Sequence, residues 1–175
     1  MSTITVLVTF YSRGGSTESL AHAAAVGAVQ ARALIRLRRV PDADAAGIVE
    51  RLSDSRDAIR RMHKEYVGPR EADVLASQAL VIGSPADVDP TSPEWAGFLE
   101  LLQRLRAEGK LAGKVAAVIA TGPSSESFAA QMRRLGLETV TDVDTGADAE
   151  MDDVGRAVAL GRKAVLLAQS AKSAP

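Results

Sequence analysis

Residues 4–19 read ITVLVTFYSRGGSTES, and this stretch decides the architecture. Thr5, Val6, Leu7, Val8, Thr9 and Phe10 are β-branched or large apolar residues without a charge, the composition of a central strand covered on both faces. The run empties into Ser12, Arg13, Gly14, Gly15, Ser16 and Thr17 and then into helical sequence. Two adjacent glycines allow a tight turn that aims successive N–H groups at one point, where a helix N-terminus adds partial positive charge. Ser12, Ser16 and Thr17 bring hydroxyl donors, and Arg13 brings a cation that can serve the loop or face solvent. The loop lacks a Gly-Lys-Ser/Thr ending and does not read Gly-x-Gly-x-x-Gly, so a terminal monophosphate is favoured over a triphosphate or a dinucleotide. A second reading stays open on these residues alone: Ser16 caps a helix and the glycines only make the turn.

Outward from this loop, strands and helices alternate. Glu18 to Ala31 is alanine-rich, with Leu20, Ala24, Gly27 and Ala28 forming a narrow stripe suited to lying close against a sheet. Ala33 to Val40 reads as a strand carrying Arg36, Arg38 and Arg39, charges that suit a sheet edge, and Pro41 ends it. From Asp42 to Tyr66, apolar residues at helical spacing predict one long amphipathic helix or two short ones. The basic residues there, Arg56, Arg60, Arg61, His63 and Lys64, read as a solvated face. His22 reads as a partly exposed helix residue.

Ala79 to Gly83 is a short buried strand that breaks at Ser84-Pro85, and a loop rich in Pro and Asp follows to Pro93. Trp95, Phe98, Leu99, Leu102 and Leu105 form one helical face, with Gly109 where that helix should stop. Val115 to Ala120 is another uncharged strand, running into Thr121-Gly122-Pro123-Ser124. Ser125 to Leu135 reads as helix, Glu138 to Val143 as a half-exposed edge strand, and Met151 to Ala168 as a closing helix. A single domain over residues 1–169 is expected, with 170–175 a frayed tail.

Strands one, three and four are uncharged and belong in the centre; two and five carry polar residues and belong at the edges. The expectation is an α/β three-layer sandwich on a five-stranded parallel sheet of order 2-1-3-4-5. In that order a ligand sits outside the carboxyl ends of strands one and three. Ser12 to Thr17, Ser84 to Asp89 and Thr121 to Ser125 converge there.

Composition bounds the chemistry. The 175 residues suit one domain with its own core. There is no cysteine and there are only two histidines, His22 and His63, so disulfides, thiol catalysis and a zinc site are not expected. A formal net charge of −1 argues against a nucleic-acid surface, and no apolar run approaches a membrane span. Met1-Ser2-Thr3 is neither a charged signal region nor a transit peptide, so a cytoplasmic location is expected.

Taken together, VTFYSRGGSTESLA, ALVIGSPADV and GKVAAVIATG resemble the flavodoxin-like FMN proteins, and most of all the tryptophan-repressor-binding-protein-like NAD(P)H:quinone oxidoreductases. The family's Tyr-Ser-x-x-Gly-x-Thr loop is matched by Tyr11, Ser12, Gly15 and Thr17, its Gly-Ser/Thr-Pro by Gly83, Ser84 and Pro85, and its last helix by Ala157, Leu160, Gly161 and Arg162. The resemblance implies FMN as cofactor, NAD(P)H as co-substrate and a quinone-like small molecule as acceptor. By it, Ser12, Arg13, Gly14, Gly15, Ser16 and Thr17 would hold the FMN phosphate. Ser84, Pro85, Ala86, Asp87, Val88, Thr121, Gly122, Pro123 and Ser124 would line or border the isoalloxazine ring. The flavin carries the chemistry, so no catalytic acid or base and no metal ligand is assigned.

Two departures stand out. Ala86-Asp87-Val88-Asp89 replaces the Thr, aromatic and Gly usual after the second motif, and Gly122-Pro123-Ser124-Ser125 replaces a glycine-rich third loop; Pro123 has no N–H to offer the ring. Tyr11, Trp95 and Phe128 are the aromatics placed near a flavin. Relatives commonly form homodimers or homotetramers that complete the site from a neighbouring chain, and the same is expected here. The alternatives are a flavodoxin-type electron carrier, which near-neutral charge disfavours, and a flavodoxin-fold binding or regulatory module with a degenerate flavin site.

Overall fold

The structure is a computed structural model that describes residues 3–120, 123–140 and 151–173. Its five strands are all parallel: β1 (Thr5–Phe10), β2 (Leu34–Arg39), β3 (Ala79–Ser84), β4 (Val115–Ala120) and β5 (Glu138–Val140). They are ordered β2-β1-β3-β4-β5, as expected. The register puts the strand ends level, with Phe10 opposite Gly83 and Gly83 opposite Ile119. The chain therefore leaves β1, β3 and β4 along one edge of the sheet.

Side-chain alternation along these strands divides the interior into two cores. Val6, Val8, Phe10, Val81, Ala117 and Ile119 face α1 (Ser16–Gln30) and α7 (Asp153–Ser173). Leu7, Leu80, Ile82, Ala116 and Val118 face α5 (Pro93–Ala107) and α6 (Pro123–Arg134), where Trp95, Phe98, Leu102, Phe128 and Met132 pack. The closing helix runs on to Ser173, past Ser170 where a tail was expected to start. Residues 141–143 of the expected last strand, with Thr121 and Gly122 of the third loop, lie outside the described residues.

One expectation changes and one element is new. The small-residue stripe of α1 meets α7 rather than only the sheet: a Cβ on Gly27 would lie 1.9 Å from the Val158 carbonyl oxygen, and one on Gly161 would lie 2.0 Å from that of Ala24. The two backbones touch there, which only glycine permits. The stretch 42–66 takes one of its two expected forms, two short helices: α2 (Ala45–Arg51) and α3 (Arg56–Glu65), joined through a 3-10 turn (Ser53–Ser55); α4 (Glu71–Ala76), which the sequence did not reveal, follows. Asp73 of α4 is buried and accepts bonds from Arg36 and Arg38 of β2 at 2.9–3.0 Å. The strand's charges are thus partly neutralised by this helix as well as marking an edge.

Candidate functional site

The backbone of β1 extends one residue past the strand, with Tyr11 N–H donating to the Gly83 carbonyl at 2.9 Å. Gly83 is tightly hemmed: a Cβ there would sit 3.2 Å from Phe10 Cβ and 3.3 Å from Thr17 Cγ2. Lacking one, it lets the start of α1 settle against the end of β3. The turn itself is pinned twice. Arg39, buried at the end of β2, donates to the Ser12 carbonyl at 2.7 Å, and the Ser12 hydroxyl accepts from Gly15 N–H at 3.1 Å.

Gly15 is the N-cap of α1, in the left-handed conformation at φ 99°, and supplies no side-chain cap. Ser16 therefore does not cap the helix: it is the first helical residue, and it is exposed. The N–H groups of Ser16, Thr17 and Glu18 begin the helix and have no carbonyl four residues back within it. Gly14 is also exposed, and Thr17 is buried against Gly83. Uncapped N–H groups headed by a glycine form a donor set that fits an anion.

The second loop is tied to itself. Ser84 donates its hydroxyl to the Val88 carbonyl at 2.7 Å and accepts from Trp95 Nε1 at 3.1 Å, while Val88 N–H donates to the Pro85 carbonyl at 3.1 Å. Ser84 and Val88 are buried, Pro85 is half-buried, and Ala86 and Asp87 are exposed at the tip. Ser124, buried at the start of α6, donates to the Pro85 carbonyl at 3.4 Å. Loops two and three are thereby in contact, with Pro123 opening α6. Loops one and two are joined as well: Arg13 Nη2 donates to both Asp87 carboxylate oxygens at 2.5 Å. That bond is the main reason the Asp87 carboxyl lies below its ordinary value.

Tyr11, Trp95 and Phe128 are all fully buried. Trp95 and Phe128 meet edge-to-face at 5.0 Å in the core, so neither presents a stacking face at the loops.

Under the first loop lies a polar network that sequence reasoning missed. Asp42 accepts from the Tyr11 hydroxyl at 2.8 Å, from Arg39 at 3.0 Å and pairs with His63 Nε2 at 2.5 Å. Burial pushes the Asp42 carboxyl up, but bonds from His63, Tyr11 and Arg39 outweigh it and hold the group below its ordinary value. Burial, and then the Asp42 bond, raise the Tyr11 hydroxyl. A second network fixes the first turn of α1: Glu18 accepts from Arg61 at 2.5 and 2.9 Å and from the Tyr66 hydroxyl at 2.6 Å, and His22 Nε2 meets Tyr66 at 2.7 Å. Arg61 and His63 lie on the exposed face that the run of basic residues suggested, and from it they reach Glu18 and Asp42 and so dock α3 beside the first loop. The available signal was Asp42 directly after the charged strand and Glu18 in the first turn of α1, each an acid needing a partner.

Among the described residues no group of three or more His, Asp or Glu could hold a metal ion, and no helix is long and apolar enough to cross a membrane.

No family model matches the chain. It is 34% identical over 113 residues to NAD(P)H dehydrogenase (quinone) 3 of Rhizobium meliloti, covering 65% of this chain and 50% of that protein. It is 32% identical over 113 residues to an NAD(P)H dehydrogenase (quinone) of Archaeoglobus fulgidus, covering 65% and 59% respectively. The chain thus spans about half the length of the curated relatives it matches. Among solved structures, the flavodoxin, WrbA-like protein from Agrobacterium tumefaciens superposes with a TM-score of 0.63 at 17% identity over 96% of this chain and 99% of that one. A flavodoxin of Streptococcus pneumoniae TIGR4 gives 0.60 at 17% identity, over 93% and 98%. The chain has the flavodoxin-like fold, and its sequence is similar to curated NAD(P)H dehydrogenases (quinone).

Proposed function

We propose that this chain is a cytoplasmic FMN-dependent NAD(P)H:quinone oxidoreductase whose first loop holds the FMN phosphate. The observation that carries this reading is the uncapped start of α1: a left-handed Gly15 heads helical N–H groups at the sheet edge where three loops meet. Ser12, Arg13, Gly14, Gly15, Ser16 and Thr17 are assigned to the phosphate. Pro85 to Val88 and Thr121 to Ser124 are assigned to the border of the ring, with Ser84 holding its loop in shape.

When bound, FMN would supply the redox chemistry, taking hydride from NAD(P)H and passing two electrons to a quinone-like acceptor. The chain's own residues would bind and orient it. The uncapped N–H groups would donate to the phosphate, Arg39 keeps the turn in shape through the Ser12 carbonyl, and the self-bonded second loop would give a firm edge for the ring. No side chain is assigned a proton transfer.

The aromatics are withdrawn into the core and only Ala86 and Asp87 project at the tip of the second loop. A further surface would be needed to cover the ring, and a homodimer or homotetramer in which a neighbouring copy supplies it is part of the proposal.

The test is to titrate FMN into apoprotein while following flavin fluorescence, then to add NADPH and benzoquinone. Saturable uptake at micromolar FMN with quinone-dependent NADPH oxidation is expected. Protein that takes up no FMN overturns the reading and leaves a flavodoxin-fold binding module. Uptake without NADPH oxidation leaves an electron carrier.

A further inference from the structure

The family resemblance implied a phosphate role for Arg13 and a ring border for Asp87; the structure pairs them across the mouth between the two loops. We propose that Asp87 is a specificity-determining residue, a competitor for Arg13 that must yield the guanidinium to the phosphate of an incoming flavin. The inference rests on the reading that the first loop takes the FMN phosphate.

Three features support a transfer of the guanidinium rather than a permanent pair. First, one nitrogen of Arg13, Nη2, makes both bonds to Asp87, so the planar fork that suits a carboxylate or a phosphate is not used as a fork. Nε and Nη1 remain to donate. Second, the Asp87 side chain is 68% exposed whereas that of Arg13 is 26% exposed. The carboxylate rehydrates easily when released, and an ion pair so open to water is weak. Third, Arg13 is flanked by the turn whose N–H groups lack a cap. A phosphate dianion placed there brings more charge and more acceptor oxygens to the guanidinium than the single carboxylate does.

The consequence concerns selectivity. A flavin without a phosphate cannot draw Arg13 away and leaves the pair standing. A flavin with one must first displace Asp87, so this residue lowers affinity for the phosphorylated ligand alone.

A double-mutant cycle read by flavin fluorescence tests this, with FMN and riboflavin titrated into wild type, Asp87→Asn, Arg13→Gln and the double variant. Both side chains reach solvent, and circular dichroism would confirm that each variant folds. Any effect of Asp87→Asn at the ring border falls equally on the two flavins, so the ratio of FMN to riboflavin affinity is the readout, and a gain of roughly threefold in that ratio is expected, in keeping with the weakness of an exposed pair. In the Arg13→Gln background the gain should vanish. A ratio that does not rise, or the same rise without Arg13, would overturn the competitor role while FMN binding itself stands. Failure of all four proteins to take up FMN would instead remove the proposed function, and this inference with it.

Discussion

At the scale of single residues, Gly15 shows what the first loop depends on. A Cβ there would meet only Glu18 Oε2, at 3.6 Å, so space is not the constraint; φ at 99° is. A β-branched side chain at that angle costs about 1–3 kcal/mol, and relaxing the angle turns the helical N–H groups away from their common focus. Gly15→Val is therefore expected to weaken FMN binding at least about tenfold, and Thr17→Ala, which removes a hydroxyl donor, by a smaller factor. Trp95→Phe should leave affinity within about twofold, because Trp95 is fully buried and its one polar link is to Ser84. Fluorescence titration of the three variants decides the matter, and equal losses would mean that the ring loop dominates affinity. The loop was legible because everything it needs lies within six consecutive residues. Its supports were not: Arg39, Asp42 and Asp87 reach it from 27 to 74 positions along the chain, and nothing in local composition says which charge will meet which.

Elements are held together in two ways, and glycine exposes the difference. Where α1 crosses α7, Gly27 and Gly161 bring backbone against backbone, so Gly161→Ala forces a methyl group to within 2.0 Å of a carbonyl oxygen. The helices must part, and a loss of about 1–3 kcal/mol is expected. Gly97 lies in the interior of α5, exposed, and a Cβ there has nothing within 4 Å. Gly97→Ala should accordingly stabilise by about 0.5–1 kcal/mol through helix propensity. Denaturant unfolding of both variants reads the contrast, and a Gly161→Ala variant as stable as wild type would mean that the α1–α7 approach is not close in solution. Periodicity made the long elements legible: β1 and β4 fall on the expected residues, and strand charge sorted centre from edge. It did not find α4, whose six residues are too few for a helical period to declare itself, and it left open whether residues 42–66 form one helix or the two that flank Ser53–Ser55. The small-residue stripe of α1 was visible, but sequence alone could not say that its partner was a second helix.

At the scale of the whole molecule, the excursion between β2 and β3 ties the sheet to the first turn of α1. Tyr66 packs edge-on to Phe10 at 5.1 Å and donates to Glu18, which Arg61 also holds. Bonds from Arg61 are the largest cause of the lowered Glu18 carboxyl, overcoming the opposing effect of its burial, with Tyr66 adding to them. A carboxyl lowered in the folded state releases its proton more readily there than in the unfolded chain. Its contribution to stability is therefore fully present above the unfolded value near 4.5 and is lost as pH falls through the lower folded one. Asp42 and Asp73, also lowered, add to the same acid limb, so the quantity to read is a difference between proteins. Glu18→Gln keeps the shape and removes the titration. It should be less stable than wild type at neutral pH, with the gap narrowing as pH drops below about 4.5. Denaturant midpoints of the two apoproteins across that range measure it without any ligand. Parallel curves would show that the excursion is not fastened through Glu18, and the first turn of α1, with its row of uncapped N–H groups, would then owe its position to the sheet alone.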